Sequence, residues 1–498
     1  MGEKARATLT RPRTATRMLA RATPRAAVAR STVPRTRASE RANASASRAR
    51  RAGSVSVLAS GTRALVRVDA RARRRADARG RAVDLDFDAR ARPREESAAS
   101  ALVAALVAVG WGAASARLGP ERSRLARVVV GAVVAVLGRA VAMRFFIERA
   151  HRDRGLSVRE AADADGRFAD ADGLAVHYKA VARAGATRAV ECMHGFGANV
   201  SSWTTSGAMM RLSEALNADV AAHDSCGFGL TERSTDVKRY TRASDARACG
   251  AILREIGADG KSVTLIGHSL GAVSAALASA AGGVDYVVLV SPAILGGKLK
   301  PIDERGGALS RAPLPLRLLF AYAQAALATL TWSLLVLTKP LMLVFLRALV
   351  RSKEFWTRGL RAAIHPSRIA TMSADWIDGY RLPKVIRDWE SGMFRVVLAS
   401  VAPANSVGEI WRDAIQNATR TTTPSVLETE DAVNALADSG AKILIVHGED
   451  DKIVPLSNSK TLAKLLGAEL RVVRRCGHMC HEECVDEFVD IVRDFIIS

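Results

Sequence analysis

The sequence predicts an α/β fold, a mostly parallel central sheet flanked by helices, and two observations carry that expectation. Short β-branched and apolar runs (AVECMH, DVAAHD, SVTLIGHS, YVVLVSP and KILIVHGED) alternate from Leu174 onward with Ala-rich, helix-compatible stretches. Several of these runs end in polar, Gly-containing turns, where open parallel sheets place their functional groups.

The amino-terminal fifth does not share this pattern. Residues 1–97 hold 25 Lys/Arg against 9 Asp/Glu, so +16 of the +23 net charge of the 498-residue chain sits there. Residues 1–96 are therefore expected to be a disordered basic leader. Rich in Ala, Arg, Ser and Thr and poor in acids, it reads as an organellar transit peptide. A GC-rich genome would enrich Ala and Arg in the same way, and that alternative stays open. With no aromatic residue before Phe87 to stack on bases, the basic excess does not point to nucleic acid. Six cysteines, none before Cys192, give no disulfide framework and fit a reducing compartment.

Residues 97–150 are expected to be hydrophobic helical segments. From Ser97 to Ala116 there are 20 uncharged residues, long enough to span a bilayer. A second stretch, Val128 to Phe146, is interrupted by Arg139 and Arg144. A membrane anchor and a buried or interfacial helix are both open readings. The sheet pattern occupies 165–295 and resumes at 439–498. Between them, 296–438 is too long for a structureless loop and reads as a helical cap. Its 21 uncharged residues from Leu318 to Thr338 form a helix apolar all round, which is either deeply buried or in contact with lipid.

The strongest chemical signal is SVTLIGHSLGAVSAALASA. An apolar strand runs into Gly267, His268, Ser269, Leu270 and Gly271, and a helix-forming run of small residues follows. This is G-x-S-x-G between strand and helix, a turn so tight that side chains at the glycines would meet backbone. It would lift the Ser269 hydroxyl to the start of a helix, whose N-terminus favours developing negative charge.

A serine hydroxyl needs a base, and the base needs a group that fixes its tautomer and stabilises its cation. KILIVHGEDDKIVP and LRVVRRCGHMCHEE follow in the order acid, then histidine. Asp451 is preferred as the acid because it stands three residues after Gly448 and four before Pro455, with Asp450 and Glu449 as alternatives. His478 is the base. Cys476, Cys480, His481 and Cys484 crowd around it, yet the paired C-x-x-C spacing of a zinc site is lacking, so neither metal nor cofactor is expected. His481 and Asp486 also make an H-x4-D pattern of the kind found in some lipid acyltransferases. An oxyanion would need two N–H donors. Leu270 supplies one, and Phe196, immediately after His194 and Gly195 in AVECMHGFGAN, is the candidate for the other.

HGFGANVSSW, AHDSCGFGLTERS, GHSLG, HGEDDKIVP and CGHMCHEECVDEF, in that order, resemble the successive blocks of the α/β-hydrolase fold family. The resemblance covers about 170–295 and 440–498. It implies that Asp224, Gly227 and Gly229 of D-x-x-G-x-G are structural. Ser225 and Cys226 depart from it where Arg and Pro or Gly are frequent, as does Cys484 where Pro is common. A softer resemblance is to uncharacterised membrane-associated plant and green-algal hydrolases, which favours plastid over mitochondrion.

With Ser269 as nucleophile, the resemblance implies attack on an acyl carbon of an ester or thioester through an acyl-Ser269 intermediate. Its relatives include C–C bond hydrolysis and acyl transfer. The apolar cap points to a hydrophobic ester or lipid reached from a membrane. Acyl transfer by the same triad and a catalytically silent membrane scaffold are the competing readings. Oligomeric state is not legible.

Overall fold

The computed structural model describes residues 131–133, 138, 155–294, 312–419 and 428–498. The leader expected at 1–96 lies outside the described residues, as does nearly all of the hydrophobic stretch at 97–150.

Eight strands form one sheet: β1 (Arg167–Ala171), β2 (Leu174–Val181), β3 (Arg188–Met193), β4 (Ala218–His223), β5 (Ser262–His268), β6 (Tyr286–Val290), β7 (Lys442–Gly448) and β8 (Glu469–Val473). Their order is β1-β2-β4-β3-β5-β6-β7-β8. β2 runs antiparallel to both β1 and β4, and every later pairing is parallel. All six residues of β4 are buried, and all but the first of β5. That is why these strands read as continuous apolar runs rather than alternating ones.

The helices used below are α1 (Ala208–Leu216), α2 (Arg242–Glu255), α3 (Gly271–Ser279), α4 (Leu314–Arg351), α5 (Lys353–Ala363), α6 (Ala374–Arg381), α7 (Trp389–Val401), α8 (Val407–Thr419), α9 (Glu428–Asp438), α10 (Leu456–Leu466) and α11 (Val485–Ile497). On one face of the sheet, Leu212 and Leu216 of α1 and Phe488 and Val492 of α11 pack on Val190, Val220 and Ile266. On the other face, Cys249 of α2 and Ala275 of α3 cover Ala189 and Leu265. Ala432, Val433 and Leu436 of α9 pack with Ala272, Val273 and Ala276 of α3. The sequence reading placed α9 in the insertion. The structure gives it to the core, because its apolar stripe has the elbow helix as its partner.

α4 to α8 make up the described insertion. Trp332, Leu335 and Leu343 of α4 pack against Phe394 and Leu398 of α7. Trp356 and Leu360 of α5 meet Trp376 and Tyr380 of α6, together with Met479 from the core. Along Leu314–Pro340 of α4 the most hydropathic window is only 6% buried. Among the described residues this rejects the deeply buried alternative for that apolar helix.

Candidate active site

The turn after β5 is tight. Ser269 sits at φ +51°. Its N–H donates to Val290 O at 2.9 Å, and its carbonyl accepts from Ala272 and Ala293. A β-carbon on Gly267 would lie 2.5 Å from Gly271 O, and one on Gly271 would lie 2.5 Å from Met193 O. No side chain fits at either position, so the strand can pass directly into α3.

Of the three consecutive acids after β7, it is Asp451 that reaches the histidine. Nδ1 of His478 donates to Asp451 Oδ2 at 2.7 Å. Asp450 faces Nε2 of His365 at 3.5 Å instead. Asp451 Oδ1 accepts the N–H groups of Ile453 and Val454 at 2.8 and 2.9 Å. His447 adds a contact that the sequence reading did not assign. Its Nε2 lies 3.2 Å from Asp451 Oδ2 and 3.0 Å from Val454 O, while its Nδ1 accepts from Ser459 Oγ at 2.7 Å. Burial would raise the Asp451 carboxyl, but the hydrogen bonds from His447 and His478 and the His478 charge outweigh it and hold the group below the usual carboxylate range. Because Nδ1 of His478 donates to a carboxylate, Nε2 is left as the nitrogen with the lone pair.

His478 is also held from behind. Its N–H donates to Ala363 O at 2.7 Å, and its carbonyl accepts from Nε2 of His268 at 3.0 Å. His268 directly precedes Ser269, and its ring centroid is 4.8 Å from that of His478. The loop that carries His478 therefore packs beside the turn that carries Ser269; among the described residues no hydrogen bond joins the Ser269 hydroxyl to His478. Such bonds often tighten only with substrate bound. Burial and the neighbouring histidines keep His268 well below the usual histidine range. Glu483 was also missed in the sequence. It accepts the N–H of Gly477 at 2.8 Å, of Met479 at 3.1 Å and of His365 at 2.8 Å. Nothing local signals this role, since His365 is 118 residues away.

His194 and Gly195 lie against the elbow: a β-carbon on Gly195 would be 3.1 Å from Ser269 Cβ. Neither the Phe196 nor the Leu270 N–H has a backbone acceptor among the described residues, leaving both open as oxyanion donors. The Asp224 motif is knit together by buried hydrogen bonds. Asp224 Oδ1 accepts from Val200 N, and Oδ2 accepts from Leu230 N and His177 Nδ1, each at 2.7 Å. Gly227 and Gly229 have φ of +98° and +47°, and a β-carbon on Gly229 would overlap the Asp224 carboxylate. Burial opposes the Asp224 charge, but the His177 hydrogen bond and nearby histidines keep its carboxyl below the usual range.

The H-x4-D pattern does not form a site. His481 is buried, its ring 4.1 Å from that of Trp203, and burial pushes it down to about 3. Asp486 is exposed and pairs with Arg211. Cys476, Cys480 and Cys484 are buried in the core.

A cavity of about 930 Å3 lies between the insertion and the elbow helix. Phe320, Ala325 and Leu327 of α4, Ile410 and Ala414 of α8, and Leu270, Val273 and Ala293 beside the elbow line it. It reaches the candidate site at Leu270 and Ala293 rather than at the side chains of Ser269 or His478.

The model of the alpha/beta hydrolase family matches residues 192–491. The 2-hydroxy-6-oxo-2,4-heptadienoate hydrolase of Pseudomonas putida is 38% identical over 74 residues, 13% of this chain and 27% of that protein. The 2-hydroxymuconate semialdehyde hydrolase of Pseudomonas sp. strain CF600 is 38% identical over 72 residues, 13% of this chain and 25% of that protein. The chain thus spans about a quarter of the length of these curated relatives. Among solved structures, 2-hydroxy-6-oxo-6-phenylhexa-2,4-dienoate hydrolase from Rhodococcus sp. strain RHA1 aligns with a TM-score of 0.42 at 19% identity, covering 67% of this chain and 98% of that one. With a family match that takes in every strand from β4 to β8 and all three candidate residues Ser269, Asp451 and His478, the chain belongs to the alpha/beta hydrolase family.

Proposed function

We propose that this protein is a serine hydrolase that cleaves an ester or thioester of a hydrophobic acyl substrate through an acyl-Ser269 intermediate. The observation that carries the reading is the Asp451–His478 hydrogen bond, 2.7 Å long, behind a serine held at φ +51°. His478 Nε2 takes the hydroxyl proton as Ser269 Oγ bonds to the acyl carbon, and Asp451 stabilises the imidazolium that forms. The N–H groups of Phe196 and Leu270 receive the oxyanion, a donor each being worth about 3 kcal/mol of transition-state stabilisation. Collapse of the tetrahedral species breaks the bond to the leaving group, which takes the proton from His478. Water activated by the same nitrogen then releases the acid.

The mainly apolar lining of the cavity, in which Arg317 and Asp413 also stand, and the exposed apolar length of α4 support a lipid-like acyl group that enters from a membrane. The basic leader would direct the chain to an organelle, the plastid by preference; fusion of residues 1–96 to a fluorescent protein tests this.

The hydrolase reading is tested by labelling with a fluorophosphonate. Labelling is expected in the wild type, absent in Ser269→Ala and weakened in His478→Ala. A folded wild type that stays unlabelled overturns the proposal. Labelled protein is then offered acyl esters with and without an alcohol acceptor, since acceptor-dependent turnover would redirect the reading to acyl transfer.

A further inference from the structure

We propose that His194 is a positioning residue that sets the direction of the Phe196 N–H, and that a buried relay from Asp245 through Ser225 holds His194 in the tautomer this requires. The inference rests on the hydrolase reading above. It begins with two hydrogen bonds to one ring. Nδ1 of His194 is 2.8 Å from Gly195 O, and Nε2 is 3.0 Å from the Ser225 nitrogen. A carbonyl can only accept and a backbone N–H can only donate, so Nδ1 carries the proton and Nε2 the lone pair. Burial works in the same direction by pushing His194 below the usual histidine range, which keeps the ring neutral.

The consequence follows from peptide planarity. Gly195 C=O and Phe196 N–H belong to one peptide unit, and in a trans peptide they point in opposite directions. A ring that fixes the carbonyl therefore fixes the N–H. The Gly195 carbonyl also accepts from Ala198 N at 3.2 Å, on the same side as the imidazole. Gly195 packs on Ser269, a β-carbon there lying 3.1 Å from Ser269 Cβ, so the peptide whose carbonyl the ring holds is the one next to the elbow, and its N–H is the donor we assign to the oxyanion.

The relay behind the ring uses residues for which no local motif gives a reason. Ser225 stands where the family resemblance leads one to expect arginine. Its hydroxyl donates to Asp245 Oδ2 at 2.9 Å while its N–H holds His194. The same carboxylate oxygen accepts from Ser274 of α3 at 2.6 Å and from Arg242 at 3.3 Å, and Oδ1 faces Nε2 of His223 at 3.1 Å. Asp245 thereby ties the turn after β4 to the elbow helix, which the second donor, Leu270, directly precedes. Movement of one donor relative to the other is resisted by a single buried group.

The test compares wild type, His194→Phe and His194→Gln on an acyl ester and on the matching thiono ester, whose sulfur is a weak hydrogen-bond acceptor. With the oxyanion peptide released, kcat on the oxo ester is expected to fall about 10²-fold with KM little changed. The oxo-to-thiono rate ratio should fall with it, because only the oxo substrate depended on the donor. Gln, which can both donate and accept, should recover part of the loss. Equal losses on the two esters in a folded variant would mean a general structural defect and would overturn the proposal, as would an unchanged kcat. Nitrogen-15 NMR of wild-type His194 gives an independent reading: protonation at Nε2 rather than Nδ1 overturns it without reference to activity. Failure of the hydrolase reading is distinguished by an unlabelled, inactive wild type, whereas failure of this one leaves the wild type active and labelled.

Discussion

Glu483 accepts the N–H of His365 at 2.8 Å, and with its other oxygen it accepts the N–H groups on either side of His478. One buried carboxylate thus joins the insertion to the loop that carries the candidate base. Gly477 allows this approach, since a β-carbon there would collide with Ala363 O.

Removing that carboxylate should be costly in two ways. Glu483→Ala leaves three backbone N–H groups without their acceptor, each worth about 1 kcal/mol or more when buried. A loss of about 3 kcal/mol in chemical denaturation is expected, together with slower fluorophosphonate labelling at temperatures where the variant is still folded. A variant with wild-type labelling kinetics would show that the loop keeps its geometry without Glu483.

Asp451→Asn should leave the fold in place and lower kcat by about 10⁴-fold, because an amide can present a donor to Nδ1 of His478 and so favour the wrong tautomer. Asp450→Asn, one residue away and turned toward His365, should change kcat little. Steady-state kinetics on the two variants separates the acids that the sequence leaves side by side.

Gly271→Ala should destabilise the chain by about 3 kcal/mol through overpacking. The added methyl would stand 2.5 Å from Met193 O, and backbone cannot swing aside as a long side chain can. Thermal unfolding of the variant measures this directly. Gly257→Ala places its methyl in open space; it should cost only the strain of a positive φ and serves as the control.

Glu482 gives a pH prediction whose sign can be worked out. Burial pushes its carboxyl up to about 8 from an ordinary 4.5, even though Tyr380 and Trp376 both donate to it. Above 4.5 the unfolded chain releases this proton while the folded chain retains it. Rising pH therefore favours unfolding until the folded group also titrates near 8. Its contribution to stability is fully present below 4.5 and is lost across that window. Denaturation midpoints at the two ends of the window should differ less in Glu482→Gln than in wild type.

Leu330 and Leu337 on α4 are 69% and 79% exposed and do not line the cavity. Leu330→Lys with Leu337→Lys should abolish co-sedimentation with phosphatidylcholine vesicles while leaving labelling by a water-soluble fluorophosphonate unchanged. Vesicle binding that survives the double substitution would remove α4 as the lipid-contacting element.

What could be read from the sequence was what is encoded over a few consecutive residues. Periodicity identified a parallel sheet, because buried parallel strands must be apolar on both faces. The elbow glycines were legible because their clashes are with backbone within the same turn or directly beneath it. Ser269, Asp451 and His478 each follow within a few residues of the end of a strand, so local pattern and chain order were enough to nominate them.

Other features depended on groups brought together from distant parts of the chain, and only the tertiary structure decided them. Spacing alone left Glu449, Asp450 and Asp451 open, and it is the fold that turns Asp451 toward His478. α9 belongs to the core because its apolar stripe meets α3, a partner more than 150 positions earlier. H-x4-D is undone by burial of His481 against Trp203. Glu483 and Asp245 act through main-chain and hydroxyl groups that carry no sequence signature, and a hydrogen bond to a backbone N–H leaves no trace in the identity of the residue that donates it.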